Sequence, residues 1–411
     1  MAPVDGKSCS MRRMRMIVGT IFLFHCVFFF LFIFSPASRR PVKSNRPRSY
    51  WLDNSTVAVQ TERISYEFCV AYNVTKAHGR FRDDGLEPIS LAIHTTSHYV
   101  YDVEEQCSTR SWNGPVSVAL FVDRFSSNAV DYLYDLHRCA PKMNLHVVYR
   151  LSAFQKKCEP IFVNVSNMPC SNFTREFRGK TVGKIINSFG IYPINVMRNV
   201  ARRGAMSNIH VIADVEMKFS LGFALNMKKL ANVYINGQEK NVIVIRRFEV
   251  DSSKNVPKDH TELFNMIKSR EAFEFHHKFF PLGHTIEGLW HWFRVSRNYT
   301  DPVAWEIPYK GSSWEAQVIQ HRNDPYSADY MPTRIRDQQA LIYELCRANY
   351  TFLLASQVFN VHRGVKIAET NINTAVVNHQ MKIRSRAFQT YKHQIDTKYP
   401  ETHRRCGLFV M

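Results

Sequence analysis

Five short apolar runs, rich in β-branched residues and bounded by turn formers, constrain the fold of this chain most. They are PISLAIHT (88–95), PVSVALFV (115–122), NLHVVYRL (144–151), NIHVIADV (208–215) and NVIVIRRFEV (241–250). Runs of this kind are typical of strands that are buried on both faces. Helix-like stretches lie between them, for example at 128–137 and 192–203. The sequence therefore predicts an α/β fold with a parallel-dominated sheet.

Several common enzyme signatures are absent from the sequence. There is no G-x-G-x-x-G, no P-loop and no G-x-S-x-G, which removes the simplest dinucleotide-binding, NTPase and hydrolase hypotheses. No internal repeat is visible. With 411 residues and 45% hydrophobic composition, the chain is long enough for one large domain or two modest ones.

The N-terminal region contains an apolar segment, IVGTIFLFHCVFFFLFIF, at 17–34. Its 18 residues include no Asp, Glu, Lys or Arg, and as a helix they span about 27 Å, enough for a hydrocarbon core. A cleaved signal peptide is the alternative, but its apolar region is shorter, roughly 7–15 residues. We predict a cytosolic tail at 1–16, a transmembrane signal anchor at 17–34, and a stem at 35–85.

Six N-x-S/T sequons indicate which side of the membrane holds the bulk of the chain. Four basic residues precede the apolar segment and five follow it, so the flanking charges do not decide. Chance gives roughly two or three sequons in such a chain, and all six follow the segment. We expect a type II arrangement with a lumenal C-terminal part, glycosylated at Asn54, Asn73, Asn164, Asn172, Asn298 and Asn349.

The net charge of +19 is compatible with nucleic acid, anionic membranes or acidic ligands as partners. The predicted anchor and the sequons argue against nucleic acid. The expected partners are therefore a lipid bilayer, contacted through one helix, and soluble or glycan ligands in the lumen.

Seven cysteines follow the apolar segment, an odd number that leaves at least one unpaired within the chain. Cys158 and Cys170 are the nearest pair and flank a sequon, so we expect a disulfide between them. No C-x-x-C pair occurs, and a cysteine zinc site is not expected.

Two acidic residues at the end of one apolar run are the first candidates for chemistry. Asp214 and Glu216 are spaced i, i+2, which places both side chains on one side of an extended backbone. Ligands of open α/β sheets bind at the carboxyl ends of strands. Hard carboxylate oxygens suit Mg²⁺ or Mn²⁺, and such a cation neutralises a departing diphosphate. On spacing alone, a solvated turn is the commoner arrangement.

A histidine-rich and aromatic segment, EFHHKFFPLGHTIEGLWHWF, follows at 274–293. It contains His276, His277, His284 and His291 but no H-E-x-x-H pair. Aromatic residues interleave with the histidines, a pattern that favours a semi-buried wall or a sugar-binding surface over a metal site.

A longer stretch around the acidic pair, YPINVMRNVARRGAMSNIHVIADVEM (192–217), carries a family resemblance. It resembles the Y-P-x-N-x-x-R-N-x-A helix and D-x-D strand of the glycosyltransferase family that contains the β-1,4-glucuronyltransferases and the second catalytic domain of the LARGE enzymes. Further motifs follow that family in the same order from 88 to 406: NGPVSVALFV resembles W-x-G-P-V-S-V-A, RRFEV resembles P-A-F-E, FPLGHT resembles P-x-G-H, SSWEAQ resembles D-P-W-E-P, VFNVHRGVK resembles F-x-V-H-K-G-F-K, and KYPETHRRC resembles K-Y-P-x-x-x-R-R-C.

The resemblance implies a GT-A-type nucleotide-sugar transferase fold for a lumenal catalytic domain at 86–411. It further implies a UDP-sugar donor, a divalent cation, usually Mn²⁺, and an inverting transfer to a glycan on glycoproteins in the Golgi. Glucuronic acid is the sugar that the resemblance favours, with xylose and N-acetylglucosamine as alternatives.

The resemblance also implies roles for individual residues. The metal ligands are Asp214, Glu216 and His362, and the donor-binding residues are Arg198, Asn199, Asp214, Arg363 and Lys366. An inverting transfer needs a base for the acceptor hydroxyl. Asp329 is the preferred candidate, because it matches a carboxylate of the family's D-E-R-F segment, and Glu315 is the alternative.

The chain departs from the family pattern at two of these places. Glu216 stands where the family has the second Asp of D-x-D, and the segment Ala328-Asp329-Tyr330-Met331 replaces D-E-R-F. A catalytically weakened or inactive relative, acting as a membrane-anchored glycan- or partner-binding protein, is therefore the alternative hypothesis.

Overall fold

The computed structural model describes residues 54–79, 81, 83–108, 112–166, 168–186 and 191–410. The predicted cytosolic tail, the predicted anchor and the start of the predicted stem lie outside these residues. Within the described ranges, no helix combines the length and the apolar character that a membrane crossing needs.

The described residues form fourteen strands and eleven helices, joined by loops and short 3₁₀ turns. The strands are β1 (Asn54–Val59), β2 (Glu62–Arg63), β3 (Phe68–Thr75), β4 (Ile89–Thr96), β5 (Val116–Val122), β6 (Met143–Arg150), β7 (Ile161–Ser166), β8 (Ile209–Asp214), β9 (Lys218–Phe219), β10 (Asn241–Val250), β11 (Ala272–Glu274), β12 (Ala304–Ile307), β13 (Gln317–His321) and β14 (Thr351–Arg363). The helices are α1 (Val100–Ser108), α2 (Asn128–Cys139), α3 (Arg175–Val182), α4 (Ile194–Gly204), α5 (Phe223–Tyr234), α6 (His260–Lys268), α7 (Pro281–His284), α8 (Leu289–Asn298), α9 (Asp337–Arg347), α10 (Asn371–Lys398) and α11 (His403–Cys406).

Twelve of the described strands join one sheet in the order β12-β14-β10-β13-β8-β4-β5-β6-β3-β2, with β11 beside β10 and β9 beside β14. The pairs β4–β5, β4–β8, β5–β6 and β10–β14 are parallel. The short strand β13 lies antiparallel between β8 and β10. The α/β prediction is confirmed, but the sheet is mixed, because β13 and the edge strands run against their neighbours.

The antiparallel strand β13 has a consequence for the site. Since β8 and β10 each run antiparallel to β13, they run in the same direction, and β14 follows β10 in parallel. The carboxyl ends of β4, β8, β10 and β14 therefore share one edge of the sheet, which is where α/β sheets bind ligands.

Apolar side chains cover both faces of the central strands. All seven residues of β5 are buried, as its continuous apolar run predicts. On one face, helix α4 packs Val196, Met197 and Val200 against small side chains such as Ala92 and Ala119. Helices α2 and α5 cover the other face, and a further apolar cluster around Trp292 holds the C-terminal half of the sheet.

The folded region begins before residue 86, the boundary we predicted for the end of the stem. Strand β3 pairs antiparallel with β6, and β1 pairs with β7 in a small separate sheet. The segment alternates less regularly than the other runs, because β3 contains a bulge between Ala71 and Thr75. The stem prediction is thus wrong for the described residues after 54.

The disulfides also differ from the expected pair. Cys158 bonds to Cys69 and Cys170 bonds to Cys139, so the predicted Cys158–Cys170 bridge is wrong. The strand pairing brings together cysteines that are 89 and 31 residues apart in sequence. A third bridge joins Cys346 to Cys406, and the odd cysteine is the buried Cys107.

The sequons lie in different surroundings. Asn73, Asn172, Asn298 and Asn349 are exposed, and Asn54 begins β1. Asn164 is half-buried, and its side-chain amide donates to Asp131 Oδ2 at 3.0 Å. Glycosylation at these positions stays a prediction, and Asn164 is the least accessible of the five whose side chains are described.

Candidate functional site

The carboxyl edge of the sheet brings charged residues from separate strands into one site. Asp214 ends β8, Arg247 lies near the end of β10, and His362 lies at the end of β14. The charges of Asp214, Arg247 and His362 all act on His276, which lies among them. The parallel direction of β8, β10 and β14 thus assembles the site from segments that are far apart in sequence.

Asp214 is surrounded by cations. Its Oδ1 lies 3.3 Å from His94 Nε2, and its Oδ2 lies 3.9 Å from Arg247 Nη2. Burial alone would raise the pKa of Asp214, but the His94 contact and the charges of Arg198 and Arg247 lower it below its usual value. Asp214 is therefore an ionised carboxylate, and its side chain remains 36% exposed at the edge of the sheet.

Glu216 reaches the site from a turn rather than from extended backbone. Residues 215 and 216 form a turn in which the Met217 backbone N–H donates to the Asp214 carbonyl at 3.1 Å. The argument from i, i+2 spacing therefore does not hold, although the two acids still act on each other. Burial and the negative charge of Asp214 raise the pKa of Glu216 above its usual value.

His94 is a member of the site that the sequence analysis missed. It ends β4 in direct register with Asp214. Its Nδ1 lies 2.9 Å from the Tyr192 hydroxyl, and burial lowers the pKa of His94 so that the ring is neutral. Donation from Nε2–H to Asp214 makes Nδ1 the acceptor of the Tyr192 hydroxyl. Its position at the end of the strand next to β8 is the signal that would have found it.

Two of the four histidines that we assigned to a semi-buried wall belong to this site. His276 Nδ1 lies 3.1 Å from His284 Nε2, and the same His284 nitrogen lies 3.3 Å from Glu315 Oε2. Burial and the charge of Arg247 lower the pKa of His276 to about 3 and that of His284 to about 2, so both rings are neutral. His277 instead stacks on Phe273, and His291 is exposed.

The two candidate bases lie in different surroundings. Burial and the charge of Asp337 raise the pKa of Glu315 to about 7, and the charges of Arg247 and Asp214 also act on it. Gln339 Nε2 donates to Glu315 Oε1 at 2.5 Å and orients the carboxylate. Glu315 is thus part of the charged cluster and has a pKa suited to a general base at neutral pH.

Asp329, the base that the sequence favoured, binds behind the cluster. Its Oδ1 accepts a hydrogen bond from the Asn199 side chain of α4. Burial raises the pKa of Asp329, and the groups that act on it further are Asn199 and Arg203 rather than Asp214. We infer that Glu315 is the better placed of the two carboxylates.

The predicted donor-binding residues of α4 also divide. Arg198 Nη1 donates to Asn195 Oδ1 and Asp337 Oδ1, each at 2.9 Å, and its charge acts on Asp214. Asn199 binds the Ser327 backbone in both directions, at 2.7 and 3.0 Å, and so fastens the loop at 327 to α4. The structure brings Arg198 to the site and gives Asn199 a structural contact.

The residues predicted after β14 lie at the edge of the site. Lys366 Nζ lies 3.1 Å from Glu369 and 4.0 Å from the centre of the Phe279 ring, and its charge acts on His276. Arg363 is exposed at the last position of β14. Both cations are at the carboxyl edge, as a role in donor binding requires.

The predicted metal ligands fit a divalent cation in their chemistry. Asp214 and Glu216 supply hard oxygens, and the raised pKa of Glu216 shows negative charge that is not fully neutralised. His362 Nδ1 lies 3.1 Å from the Gly364 carbonyl and donates to it, which leaves the Nε2 lone pair free for a ligand. In the described part of the chain, however, no three His, Cys, Asp or Glu side chains are grouped closely enough to hold a metal ion.

Fold and site together define an α/β enzyme with an ionised, cation-flanked carboxylate at the carboxyl edge of its sheet. The family described as "Glycosyl-transferase for dystroglycan" matches residues 88–400, which is most of the chain. The chain therefore belongs to this glycosyltransferase family.

Individual relatives agree with this assignment. The chain is 24% identical over 338 residues to β-1,4-glucuronyltransferase 1 of Danio rerio, covering 77% of this chain and 75% of that protein. It is 22% identical to the human protein of the same name, covering 72% of each. It is 20% identical to xylosyl- and glucuronyltransferase LARGE1 of Mus musculus, covering 73% of this chain and 35% of that protein.

Solved structures of glycosyltransferases give more distant matches. GalNAc-T7 with UDP, GalNAc and Mn²⁺ superposes with a TM-score of 0.37 at 10% identity, covering 80% of this chain and 53% of that chain. TarS of S. aureus, residues 1–349 with UDP, gives 0.34 at 10% identity, covering 77% and 71%.

Proposed function

We propose that this chain is an inverting glycosyltransferase of GT-A type that transfers glucuronic acid from UDP-glucuronic acid to a glycan on glycoproteins, with a divalent cation such as Mn²⁺. The observation that carries the proposal is the ionised Asp214 at the carboxyl edge of the sheet, beside Arg198, Arg247 and Glu315. The names of the relatives, β-1,4-glucuronyltransferase 1 and LARGE1, support the choice of sugar.

The site offers separate groups for the two halves of the reaction. Asp214, Glu216 and His362 would hold the cation, which when bound neutralises charge on the departing diphosphate. Arg363 and Lys366 add positive charge at the same edge. Glu315, oriented by Gln339, accepts the proton of the acceptor hydroxyl as the bond to the sugar forms.

Neutral side chains complete the site. His94 holds Asp214 by its Nε2–H and is itself held by Tyr192. His284 lies against Glu315 and shields one of its oxygens. Because His94, His276 and His284 are uncharged, they add no competing positive charge around Asp214 and Glu315.

Localisation belongs to the same proposal. We place the enzyme in the Golgi membrane as a single-pass type II protein, with 17–34 as the anchor and the domain from 86 to 411 in the lumen. Protease protection of intact Golgi vesicles tests this: the catalytic domain should be resistant until detergent is added. Digestion without detergent would contradict the topology.

The activity is tested by measuring UDP release from the full-length purified chain. The donors are UDP-glucuronic acid, UDP-xylose and UDP-N-acetylglucosamine, each with Mn²⁺ or EDTA and with a panel of acceptor glycans that includes xylose-terminated ones. We expect release from UDP-glucuronic acid that EDTA abolishes and that Asp214→Asn removes. No release from any donor would refute the proposed function, and equal release in EDTA would refute its metal dependence.

A further inference from the structure

One buried arginine differs from the other buried arginines of the described chain. Arg198, Arg202, Arg246, Arg247 and Arg347 are each at least about nine-tenths shielded from solvent. A guanidinium has five N–H donors, and four of these side chains donate to oxygen atoms of the protein. The acceptors are Asn195 and Asp337 for Arg198, backbone carbonyls at 321, 324 and 325 for Arg202, Glu274 and two carbonyls for Arg246, and Asp396 with three further oxygens for Arg347.

Arg247 has no such oxygen partner among the described residues. Its nearest carboxylate oxygen is Asp214 Oδ2 at 3.9 Å, beyond hydrogen-bonding distance. Its guanidinium lies 4.0 Å from the centre of the Phe275 ring, and Nη2 lies 4.0 Å from Met217 Sδ. The Nε atom is shielded and has no partner. Only 7% of the side chain is exposed.

An unsatisfied buried guanidinium is costly, since removing a charge from water without hydrogen bonds destabilises the folded state. The neighbouring Arg246 shows that the same strand can satisfy an arginine fully, with three oxygen acceptors at 2.6–2.7 Å. A cavity of about 30 Å³ borders Arg247, Asp214 and Arg198. It has room for about one water, which is too few acceptors for five donors.

The position of Arg247 points to the missing acceptor. It lies near the carboxyl end of β10, at the edge where Asp214 is partly exposed. The P-A-F-E pattern that RRFEV resembles has alanine at this position, so the arginine is a feature of this chain. Its charge also acts on Glu315, His276 and His284.

We propose that Arg247 binds an anionic group of the nucleotide-sugar donor. The inference rests on the proposed function and adds a donor-binding residue to it. Two groups of a UDP-uronic acid have the required chemistry, the sugar carboxylate and the diphosphate, and both form charge-assisted hydrogen bonds with arginine. The donor thereby supplies the oxygen acceptors that the protein lacks.

The test compares affinities of the full-length chain and its variants for four probes by calorimetry in Mn²⁺: UDP-glucuronic acid, UDP-glucose, UDP and UMP. Arg247→Met removes the charge while keeping a long side chain over Phe275, and Arg247→Lys keeps the charge but loses the planar fork. Arg294→Met, on the exposed face of α8, is the matched control for loss of one positive charge. Thermal melting of each variant checks that it folds.

We expect Arg247→Met to weaken binding of UDP-glucuronic acid by about ten- to a hundred-fold, Arg247→Lys by less, and Arg294→Met not at all. If UDP-glucose and UDP keep their affinity, the group is the carboxylate. If UDP-glucuronic acid, UDP-glucose and UDP all weaken while UMP does not, it is the diphosphate.

Unchanged affinity of Arg247→Met for all four probes would overturn the inference and leave the proposed function standing. If Arg247→Met does not fold, Arg247→Lys decides, and affinities equal to those of the unmodified chain refute the inference. Failure of the unmodified chain to bind any probe would instead refute the proposed function itself.

Discussion

Replacing Glu315 by Gln tests the assignment of the catalytic base. The substitution keeps the shape of the side chain and an oxygen that can accept from Gln339, now 2.5 Å away, so the fold should be retained. It removes the basic oxygen that has a pKa of about 7. General base catalysis contributes about 10²–10⁴ in rate, equivalent to about 2.7–5.4 kcal/mol at 1.36 kcal/mol per factor of ten. We expect kcat to fall by that factor.

The pH dependence gives a second readout. A base must be deprotonated, so kcat/KM of the unmodified enzyme should rise about tenfold per pH unit below pH 7 and level off above it. In Glu315→Gln this limb should disappear. The assay is UDP release from saturating UDP-glucuronic acid between pH 5 and 9.

Asp329→Asn is the matched control, because it makes the same chemical change in the other candidate and retains an oxygen for Asn199. We expect it to change kcat less than threefold. A loss of 10² or more in Asp329→Asn, with full activity in Glu315→Gln, would refute the reasoning from the site geometry and restore the order that the sequence favoured.

Three further predictions concern stability and modification. Arg246→Met should lower the free energy of unfolding by about 3–5 kcal/mol in urea denaturation, because it leaves a buried carboxylate without its cation; a loss below 1 kcal/mol would contradict this. Replacing Cys346 and Cys406 by Ala should cost about 4 kcal/mol, since their bridge closes a loop with a separation of 60 residues, and an unchanged urea midpoint would argue against it. Glycopeptide mapping should find Asn172 occupied and Asn164 bare, because the amide of Asn164 is half-buried and hydrogen-bonded; a glycan on Asn164 would contradict this.

The central strands follow from the sequence because burial on both faces leaves a local signal. The runs at 88–95, 115–122 and 241–250 correspond to β4, β5 and β10 within a residue or two. β13 has five residues and supplies no such long run, so its insertion between β8 and β10 was not predicted. That insertion makes the sheet mixed, and it also sets the direction of β10 and β14.

The site is less predictable than the strands, because its members come from distant segments. Asp214 and His362 carried motif signals, whereas His94 and Arg247 acquire a role only through the strands that lie beside them. The base illustrates the same limit. Glu315 and Asp329 were both candidates in sequence, and only the packing of α4 separates Asp329 from the charged cluster.

The location of the donor is the central claim, and one measurement tests it directly. Crystals of the protein grown with UDP and Mn²⁺ should show an anomalous manganese peak at Asp214, Glu216 and His362, with the diphosphate beside it. A larger groove of about 710 Å³, lined by Tyr72, Arg203 and other polar residues away from this cluster, offers the natural alternative. Nucleotide and metal bound in that groove, with nothing at Asp214, would contradict the account.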